Sequence, residues 1–254
     1  MQKQNESVLP DFIIVGTQKG GTSSVYNALS QHPRISPAKK KEVHYFDQHF
    51  DQSLQWYSSH FYRTHNGDRT GEASPFYLFH PLCAERIASI LPAVKIIVLL
   101  RNPVDRAYSH YQHMCRRGIE TLSFDQAIKA EKKRTETGWQ KLLRGEIISS
   151  SPLQQFSYVR RGLYLEQLLR YENLFPRTHI KVLCSEDFYH SPLPFLSTLY
   201  EFLDVDPAFQ PEDLLPRKPG NYTKEKSATL SALEDYFAPH NEALFRHLGV
   251  RFNW

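Results

Sequence analysis

The sequence predicts an α/β protein in which a central parallel sheet is flanked by helices. Three short apolar runs, Phe12–Val15, Lys95–Leu100 and Ile180–Leu183, predict strands that are buried on both faces. Helical patterns separate these runs, and buried strands that alternate with helices are typical of a parallel sheet with crossover connections. A glycine-rich stretch follows the first run and leads into a helical pattern. This order predicts a strand, an anion-binding loop and a helix in succession.

Six helical patterns account for most of the chain between and after the strands. They cover Thr22–Gln31, Ala84–Leu91, Val104–Arg116, Phe124–Lys133, Leu163–Leu174 and Pro194–Leu203. The tail from Glu225 to Trp254 also has a helical pattern, and we expect an interruption at Pro239. The segment Thr135–Tyr158 contains two glycines, three consecutive serines and a proline. We therefore expect a long irregular loop there, of the kind that binds substrates.

Length and composition predict a single domain over residues 1–254. The chain has 254 residues, of which 41% are hydrophobic and 13% aromatic, enough for a sizeable core. The net charge of +4 is too small for a nucleic-acid-binding protein but suits a pocket for an anionic ligand. There is no apolar run long enough to span a membrane.

The expected compartment is the cytoplasm. Residues 1–10 are polar and lack the apolar core of a signal peptide, and we expect them to be disordered. Three cysteines, Cys83, Cys115 and Cys184, are too widely spaced for a disulfide framework or a zinc site. This usage fits a reducing compartment.

The stretch after the first apolar run has the chemistry of an anion-binding loop. Lys19 supplies a full positive charge. Gly20 and Gly21 let backbone N–H groups curl around an anion. Thr22 and Ser23 add hydroxyl donors where the next helix begins. A nucleoside triphosphatase loop reads G-x-x-x-x-G-K-[ST], whereas here the lysine precedes the glycine pair. The loop is therefore predicted to hold a phosphate-like group other than ATP with magnesium.

A second candidate pair follows the second apolar run. Arg101 ends that run, so its guanidinium emerges at the edge of the sheet where ligands bind. Pro103 is a good first residue for the next helix, and Ser109 lies about two turns along it. Arginine binds phosphate through parallel hydrogen bonds, so both side chains could converge on one anion. The alternative is a strand-end ion pair and a solvated serine.

A third candidate pair is Glu42 and His44, within the stretch Lys41–Asp47 that follows a basic run. In an extended chain, alternate residues share a face. A carboxylate and an imidazole on one face near an anion-binding loop suit general-base catalysis. From spacing alone, a solvated acid beside a partly buried histidine is the better interpretation.

Together these motifs resemble those of the sulfotransferase family. Gln18–Thr22, Glu42–Asp47 and Leu100–Ser109 are similar to motifs of its heparan sulfate glucosaminyl 3-O- and N-sulfotransferase branch, in the same order and spacing. Looser matches follow at Tyr158–Phe175, Val182–Phe188 and Lys218–Tyr222. The similarity extends from about Asp11 to Tyr222, which is most of the chain.

The resemblance implies transfer of the sulfuryl group of 3′-phosphoadenosine-5′-phosphosulfate (PAPS), which leaves 3′-phosphoadenosine 5′-phosphate (PAP). It implies that Lys19–Ser23 is a P-loop-like loop around the 5′-phosphosulfate, and that Arg101 and Ser109 hold the 3′-phosphate. No metal is expected, because a lysine and backbone donors can support sulfuryl transfer. A nucleotide-contacting loop is implied at Lys218, Gly220, Asn221 and Tyr222.

The resemblance also implies catalytic and acceptor-side roles. Lys19 would stabilise the leaving phosphate. Glu42 matches the catalytic base of the 3-O branch, and His44 is the second candidate because other sulfotransferases use histidine. The expected acceptor contacts come from the segments Thr135–Tyr158 and Glu72–Tyr77. The individual residues expected to bind the acceptor are Glu42, His44, Glu72, Ser74 and Pro75.

Three departures separate this chain from the heparan sulfate enzymes. Ala73 stands where that branch has a saccharide-contacting lysine, no cysteine follows Cys184 to form its disulfide hairpin, and we expect no membrane anchor of the kind found in Golgi members. We therefore expect a soluble, bacterial-type member whose acceptor is open: a saccharide, a lipid headgroup, a carrier-bound alcohol or a phenol. Whether oxygen or nitrogen is sulfated, and the oligomeric state, also stay open.

Other functions remain as alternatives. A nucleotide or small-molecule kinase could share the loop, although the displaced lysine and the Arg101–Ser109 pair disfavour it; magnesium dependence would test this. A nucleotide-binding protein without activity is disfavoured by the intact Lys19, Glu42 and His44. His110 and His113 lie three residues apart on a helix, but without a third ligand they predict packing or acceptor contact more than a metal site.

Overall fold

The computed structural model describes residues 8–146, 151–214 and 227–254, and in these ranges five strands form one parallel sheet. Each neighbouring pair is parallel, and the spatial order is β2-β3-β1-β4-β5. The predicted fold class is confirmed, because β1, β4 and β5 coincide with the three predicted runs. The strands are β1 (Phe12–Gly16), β2 (Ile35–Pro37), β3 (Arg69–Ala73), β4 (Lys95–Leu100) and β5 (Ile180–Cys184).

Helices cover both faces of this sheet. They are α1 (Thr22–Leu29), α2 (Tyr45–Gln48), α3 (Leu54–Ser58), α4 (Cys83–Ile90), α5 (Pro103–Arg116), α6 (Phe124–Leu143), α7 (Pro152–Phe156), α8 (Tyr164–Glu172), α9 (Ser185–His190), α10 (Pro192–Phe202) and α11 (Ala228–Leu248). None of the helices in the described ranges is both long and apolar enough to cross a membrane.

The core consists of two layers, one on each face of the sheet. Side chains along β1 alternate between them: Ile13 and Val15 pack with α4 and α8, whereas Phe12 and Ile14 pack with α1 and α10. All four are fully buried. Burial of such side chains contributes about 1.5–3 kcal/mol each, so the two-sided burial fixes the sheet between its helices.

Two strands were not predicted because their sequences lack an apolar run. β2 reads Ile-Ser-Pro and lies at the edge of the sheet, where proline is tolerated. β3 contains Thr70, Gly71 and Glu72, yet all three are buried. Hydrogen bonds to the Glu72 carboxylate make this burial possible, and they depend on residues that are distant in the sequence.

The prediction that residues 135–158 are irregular was wrong over most of that segment. Helix α6 continues to Leu143 because buried residues recur every three or four positions through Thr135, Trp139 and Leu142. A second helix, α7, begins after Ser151, whose side chain accepts a hydrogen bond from the Gln154 N–H. Residues 147–150 lie outside the described ranges.

The predicted interruption at Pro239 is also absent from α11, which runs from Ala228 to Leu248. Pro239 and its neighbours at positions 238 and 240 are exposed. At an exposed position water can solvate the backbone carbonyl that loses its partner, so the helix continues past the proline.

Candidate active site

A cavity of about 680 Å³ opens where β1 and β4 end. This is the edge at which open parallel sheets bind ligands. Two groups of residues line it. We call Lys19, Gly21, Thr22, Ser23, Arg101 and Ser109 the loop wall, and Glu42, His44, Gln48, Pro75, Phe76 and Gln154 the carboxylate wall.

The glycine pair shapes the loop wall. A Cβ on Gly20 would lie 2.9 Å from the carbonyl oxygen of Leu99, so only glycine lets the loop approach β4 this closely. Gly21 has a φ of 76° and immediately precedes α1. The N-terminus of α1 therefore faces the cavity beside Lys19, an arrangement that attracts anions.

Arg101 and Ser109 join this wall from the segment after β4. The Arg101 Nη1 atom donates to the Lys19 carbonyl at 3.0 Å, and the Arg101 carbonyl accepts from the Tyr164 hydroxyl at 2.8 Å. Ser109 is buried on α5 and lines the cavity, so it is not a solvated helix serine. The structure thus brings both residues to the cavity that Lys19 lines.

The carboxylate wall contains a chain of three ionisable side chains. The Nε2 atom of His44 lies 3.4 Å from Glu42 Oε2, and its Nδ1 atom lies 2.9 Å from Asp47 Oδ2. Lys41 Nζ donates to Glu42 Oε1 at 2.6 Å. The Glu42 side chain is 40% exposed, whereas that of Asp47 is fully buried. The imidazole is therefore held between a buried carboxylate and an accessible one.

The predicted closeness of Glu42 and His44 is seen, but not in the extended conformation expected. Their φ values are 63° and 60°, in the left-handed region. Two such residues in one short segment cost free energy, which the contacts around them must offset. The backbone thus turns the carboxylate and the imidazole toward each other directly.

This arrangement shifts the pKa values of both groups. Burial raises the pKa of Glu42, but the hydrogen bond with His44 and the charge of Lys41 outweigh it and lower the pKa to about 2. Burial lowers the pKa of His44, but its hydrogen bonds with Asp47 and Glu42 outweigh it and raise the pKa to about 10. At neutral pH Glu42 is ionised and able to accept a proton, and His44 is an imidazolium.

The expected acceptor contacts of Glu72 and Ser74 do not agree with the structure, because both side chains are fully buried. The Glu72 carboxylate accepts from the Tyr57 hydroxyl at 2.8 Å, the Ser74 hydroxyl at 2.6 Å and the Val43 N–H at 3.3 Å. Ser74 Oγ in turn accepts from the His44 N–H at 3.4 Å. Glu72 and Ser74 therefore support the backbone of the Glu42–His44 segment. Pro75 does line the cavity.

Sequence reasoning did not single out several residues of the site, among them Asp47 and Arg161, and some of its predicted residues lie outside the described ranges. Asp47 was detectable, because it follows His44 by one helical turn. Arg161 lines the cavity from a 3₁₀ turn within the looser family match Tyr158–Phe175, where nothing in the sequence marked it as a site residue. Lys218, Gly220, Asn221 and Tyr222 lie outside the described residues. Of the two helix histidines, His113 lines the cavity, whereas His110 is buried against Tyr158.

A strand, a glycine loop with a lysine, a helix N-terminus and a nearby carboxylate–imidazole pair are the features expected of an enzyme that transfers a group from a phosphate-like donor. The chain belongs to the sulfotransferase family: the model of the sulfotransferase domain matches residues 9–246. This membership confirms the predicted enzyme class and removes the kinase alternative.

Two relatives show where the chain falls in that family. It is 28% identical over 320 residues to the membrane-associated sulfotransferase kil1 of Dictyostelium discoideum, covering 97% of this chain and 66% of that protein. It is 27% identical over 269 residues to heparan sulfate glucosamine 3-O-sulfotransferase 6 of Homo sapiens, covering 96% of this chain and 73% of the relative. The resemblance to the heparan sulfate branch is therefore confirmed.

Solved structures agree with the fold. A sulfotransferase from Alicyclobacillus acidocaldarius is 32% identical with a TM-score of 0.80, over 96% of this chain and 98% of that one. Mouse sulfotransferase SULT7A1 complexed with PAP has a TM-score of 0.54 at 15% identity, over 94% of this chain and 87% of its own. The second likeness concerns the fold alone.

Proposed function

We propose that this sulfotransferase transfers the sulfuryl group of PAPS to an acceptor hydroxyl, with Lys19 and Glu42 as its principal catalytic residues. The observation that carries the proposal is that one cavity is lined by both the Lys19 loop and the Glu42–His44 pair. Two comparisons support it: a relative is named as a 3-O-sulfotransferase, and a neighbour of similar fold was solved with PAP.

The residues of the loop wall fit the nucleotide. A volume of about 680 Å³ is within the usual range for small-molecule sites. Lys19, Thr22 and Ser23, at the N-terminus of α1, would hold the 5′-phosphosulfate. Arg101 and Ser109 would hold the 3′-phosphate, and the Arg101 guanidinium would then connect that phosphate to the Lys19 carbonyl. The binding surface contains enough cationic and hydroxyl donors without a metal.

PAPS, when bound, supplies an activated sulfur atom. The acceptor oxygen forms a bond to that sulfur while the bond from sulfur to the 5′-phosphate oxygen breaks, and the electron pair goes to the phosphate. Lys19 stabilises this charge, an effect worth about 3–4 kcal/mol in comparable sites. The acceptor proton goes to Glu42, whose Oε2 side faces His44 and whose Oε1 side is held by Lys41.

His44 acts as a positioning residue in this scheme. The Asp47 and Glu42 carboxylates hold its ring from both sides, so the ring fixes the orientation of Glu42. The runner-up assignment makes His44 the base. It is disfavoured because a pKa near 10 leaves the imidazole protonated at neutral pH.

We propose an oxygen acceptor presented by a saccharide or a similar alcohol, on the carboxylate wall. The names of the relatives support a saccharide. Ala73 lacks the side chain with which the heparan sulfate branch contacts its polymer, so heparan sulfate itself is not assigned. Gln48 and Gln154 offer neutral amides for hydroxyl groups.

The test is transfer of radiolabelled sulfur from PAPS to a panel of neutral saccharides, sulfated saccharides, phenols and long-chain alcohols, in the presence of EDTA. We expect label in at least one alcohol, and none with Glu42→Gln. Release of label only as inorganic sulfate across the panel, at equal rates for both proteins, would contradict the proposal.

A further inference from the structure

Arg161 is a buried cation to which the scheme above gives no task. It lies in the 3₁₀ turn Arg160–Gly162, lines the cavity and is 2% exposed. Among the described residues no carboxylate lies within ion-pair distance of it. Its guanidinium donates instead to the side-chain oxygen of Gln18 and to the Gln154 carbonyl, the latter at 2.8 Å, and it lies 4.8 Å from the centre of the Phe76 ring.

Burying a cation among neutral groups lowers the stability of the folded protein. The contacts of Arg161 therefore need an explanation. Burial, together with repulsion from the nearby Arg106, lowers the pKa of Arg161 to about 9, and it stays charged at neutral pH. Its hydrogen bonds connect α7, through Gln154, to the segment just before Lys19. Arg161 thus joins the carboxylate wall to the loop wall.

The contact with Gln18 fixes the orientation of that side chain. A guanidinium can only donate hydrogen bonds, so the Gln18 carboxamide must present its oxygen to Arg161. Its NH₂ group is then turned away from Arg161, and no described residue accepts from it. Gln18 lines the cavity, is half-buried and immediately precedes Lys19. Gln18 therefore contributes two N–H donors to the lining of the cavity, next to Lys19.

We propose that Arg161 is a positioning residue that aims the Gln18 amide at the oxygens of the sulfuryl group as it moves between the walls. This inference rests on the proposed function. The loop wall holds the phosphates and the carboxylate wall holds the acceptor, so a donor at their junction meets the group that passes between them. Preorganised donors of this kind stabilise charge that develops in the transition state.

The primary test replaces Gln18 with methionine, which has a similar volume and carries no charge or donor. We expect the rate of PAP formation from PAPS to fall about 100-fold with the acceptor selected from the panel above. PAP has no sulfuryl group, so its affinity should stay within about threefold of the wild-type value. Gln55→Met, on the exposed face of α3, is the matched control and should change neither quantity.

A double-mutant cycle then tests whether Arg161 acts through Gln18. Arg161→Lys keeps the charge but cannot reach both the amide and the Gln154 carbonyl, and we expect about a tenfold loss of rate. In the Gln18→Met background the same substitution should cost less than twofold. A merely structural role would give the same loss in both backgrounds.

Two results overturn the inference. One is a Gln18→Met protein that binds PAP and turns over within threefold of wild type. The other is an equal loss from Arg161→Lys in both backgrounds. If Arg161→Lys does not fold, Gln18→Met alone decides. Failure of the wild-type protein to bind PAP would instead overturn the proposed function on which this inference rests.

Discussion

The two walls of the cavity are built in different ways. The loop wall follows from chain connectivity, because Lys19 and Arg101 come soon after neighbouring parallel strands whose carboxyl ends share an edge. The carboxylate wall depends on long-range contacts, in which buried Glu72 and Ser74 accept the N–H groups of Val43 and His44. The half of the cavity proposed to bind the anion is therefore encoded locally, whereas the half proposed to accept the proton forms only in the folded chain.

This contrast separates the expected effects of substitution. Loop-wall residues should control nucleotide affinity and the charge of the leaving group. Carboxylate-wall residues should control proton transfer, and therefore the rate and its pH dependence, without changing PAP affinity. A substitution on one wall that changed the property assigned to the other wall would break this division.

Glu42→Gln should have the largest effect. The amide is nearly isosteric with the carboxylate but cannot accept a proton at neutral pH, so transfer should fall about 10³- to 10⁴-fold. PAP affinity, measured by calorimetry, should stay unchanged because Glu42 belongs to the other wall. Retained activity would transfer the role of base to His44, and a large loss of PAP affinity would contradict the division between the walls.

Lys19→Ala should lower turnover about 100-fold or more, because the lysine stabilises charge on the leaving phosphate. PAP should still bind moderately well, since backbone N–H groups and hydroxyls of the loop remain. Single-turnover measurements at saturating PAPS separate this rate effect from binding. Near-normal turnover would remove the proposed role.

Arg101→Ala should weaken PAP binding by about 30- to 150-fold, which corresponds to a loss of about 2–3 kcal/mol from charge-assisted hydrogen bonds. AMP is the matched control ligand, because it lacks the 3′-phosphate and should lose much less. An equal loss for both nucleotides would mean that Arg101 acts only through its contact with the Lys19 carbonyl.

His44→Ala should lower the rate about 10- to 100-fold, the scale of an assisting group. Loss of the imidazolium removes the contact that lowers the pKa of Glu42, so that pKa should rise. The acidic limb of the pH–rate profile should therefore move to higher pH, and the variant should lose activity at about pH 5 while the wild type does not. An acidic limb at the same pH in both proteins would contradict an ion pair between Glu42 and His44.

The same substitution should affect stability in a defined pH range. The pKa of His44 is raised in the folded protein, so its stabilising contribution is fully present below its ordinary pKa and is lost as the pH rises through about 10. Thermal unfolding of His44→Ala should therefore differ most from wild type at mildly acidic and neutral pH. The part of the difference that comes from the charge of His44 should vanish at strongly alkaline pH, which leaves only the pH-independent loss of packing.

The loop wall could be predicted from the sequence more completely than the carboxylate wall. Strands β1, β4 and β5, the Lys19 loop and the convergence of Arg101 and Ser109 on one cavity were predictable, because apolar runs and strand ends determine them locally. The burial of Glu72 was not, because its partners Tyr57 and Val43 come from other segments. Arg161 lies within the looser family match Tyr158–Phe175, but its place in the cavity was not predictable, since a cation held by an amide and backbone carbonyls has no sequence pattern.

Calorimetric titration of the wild-type protein with PAP and with AMP, both with EDTA present, tests the central claim most directly. The claim is that the loop wall is built for a nucleotide with a 3′-phosphate. It predicts that PAP binds without a metal and about 100-fold more tightly than AMP, since the 3′-phosphate contacts Arg101 and Ser109. Equal affinities for the two nucleotides would contradict it, as would PAP binding that requires magnesium.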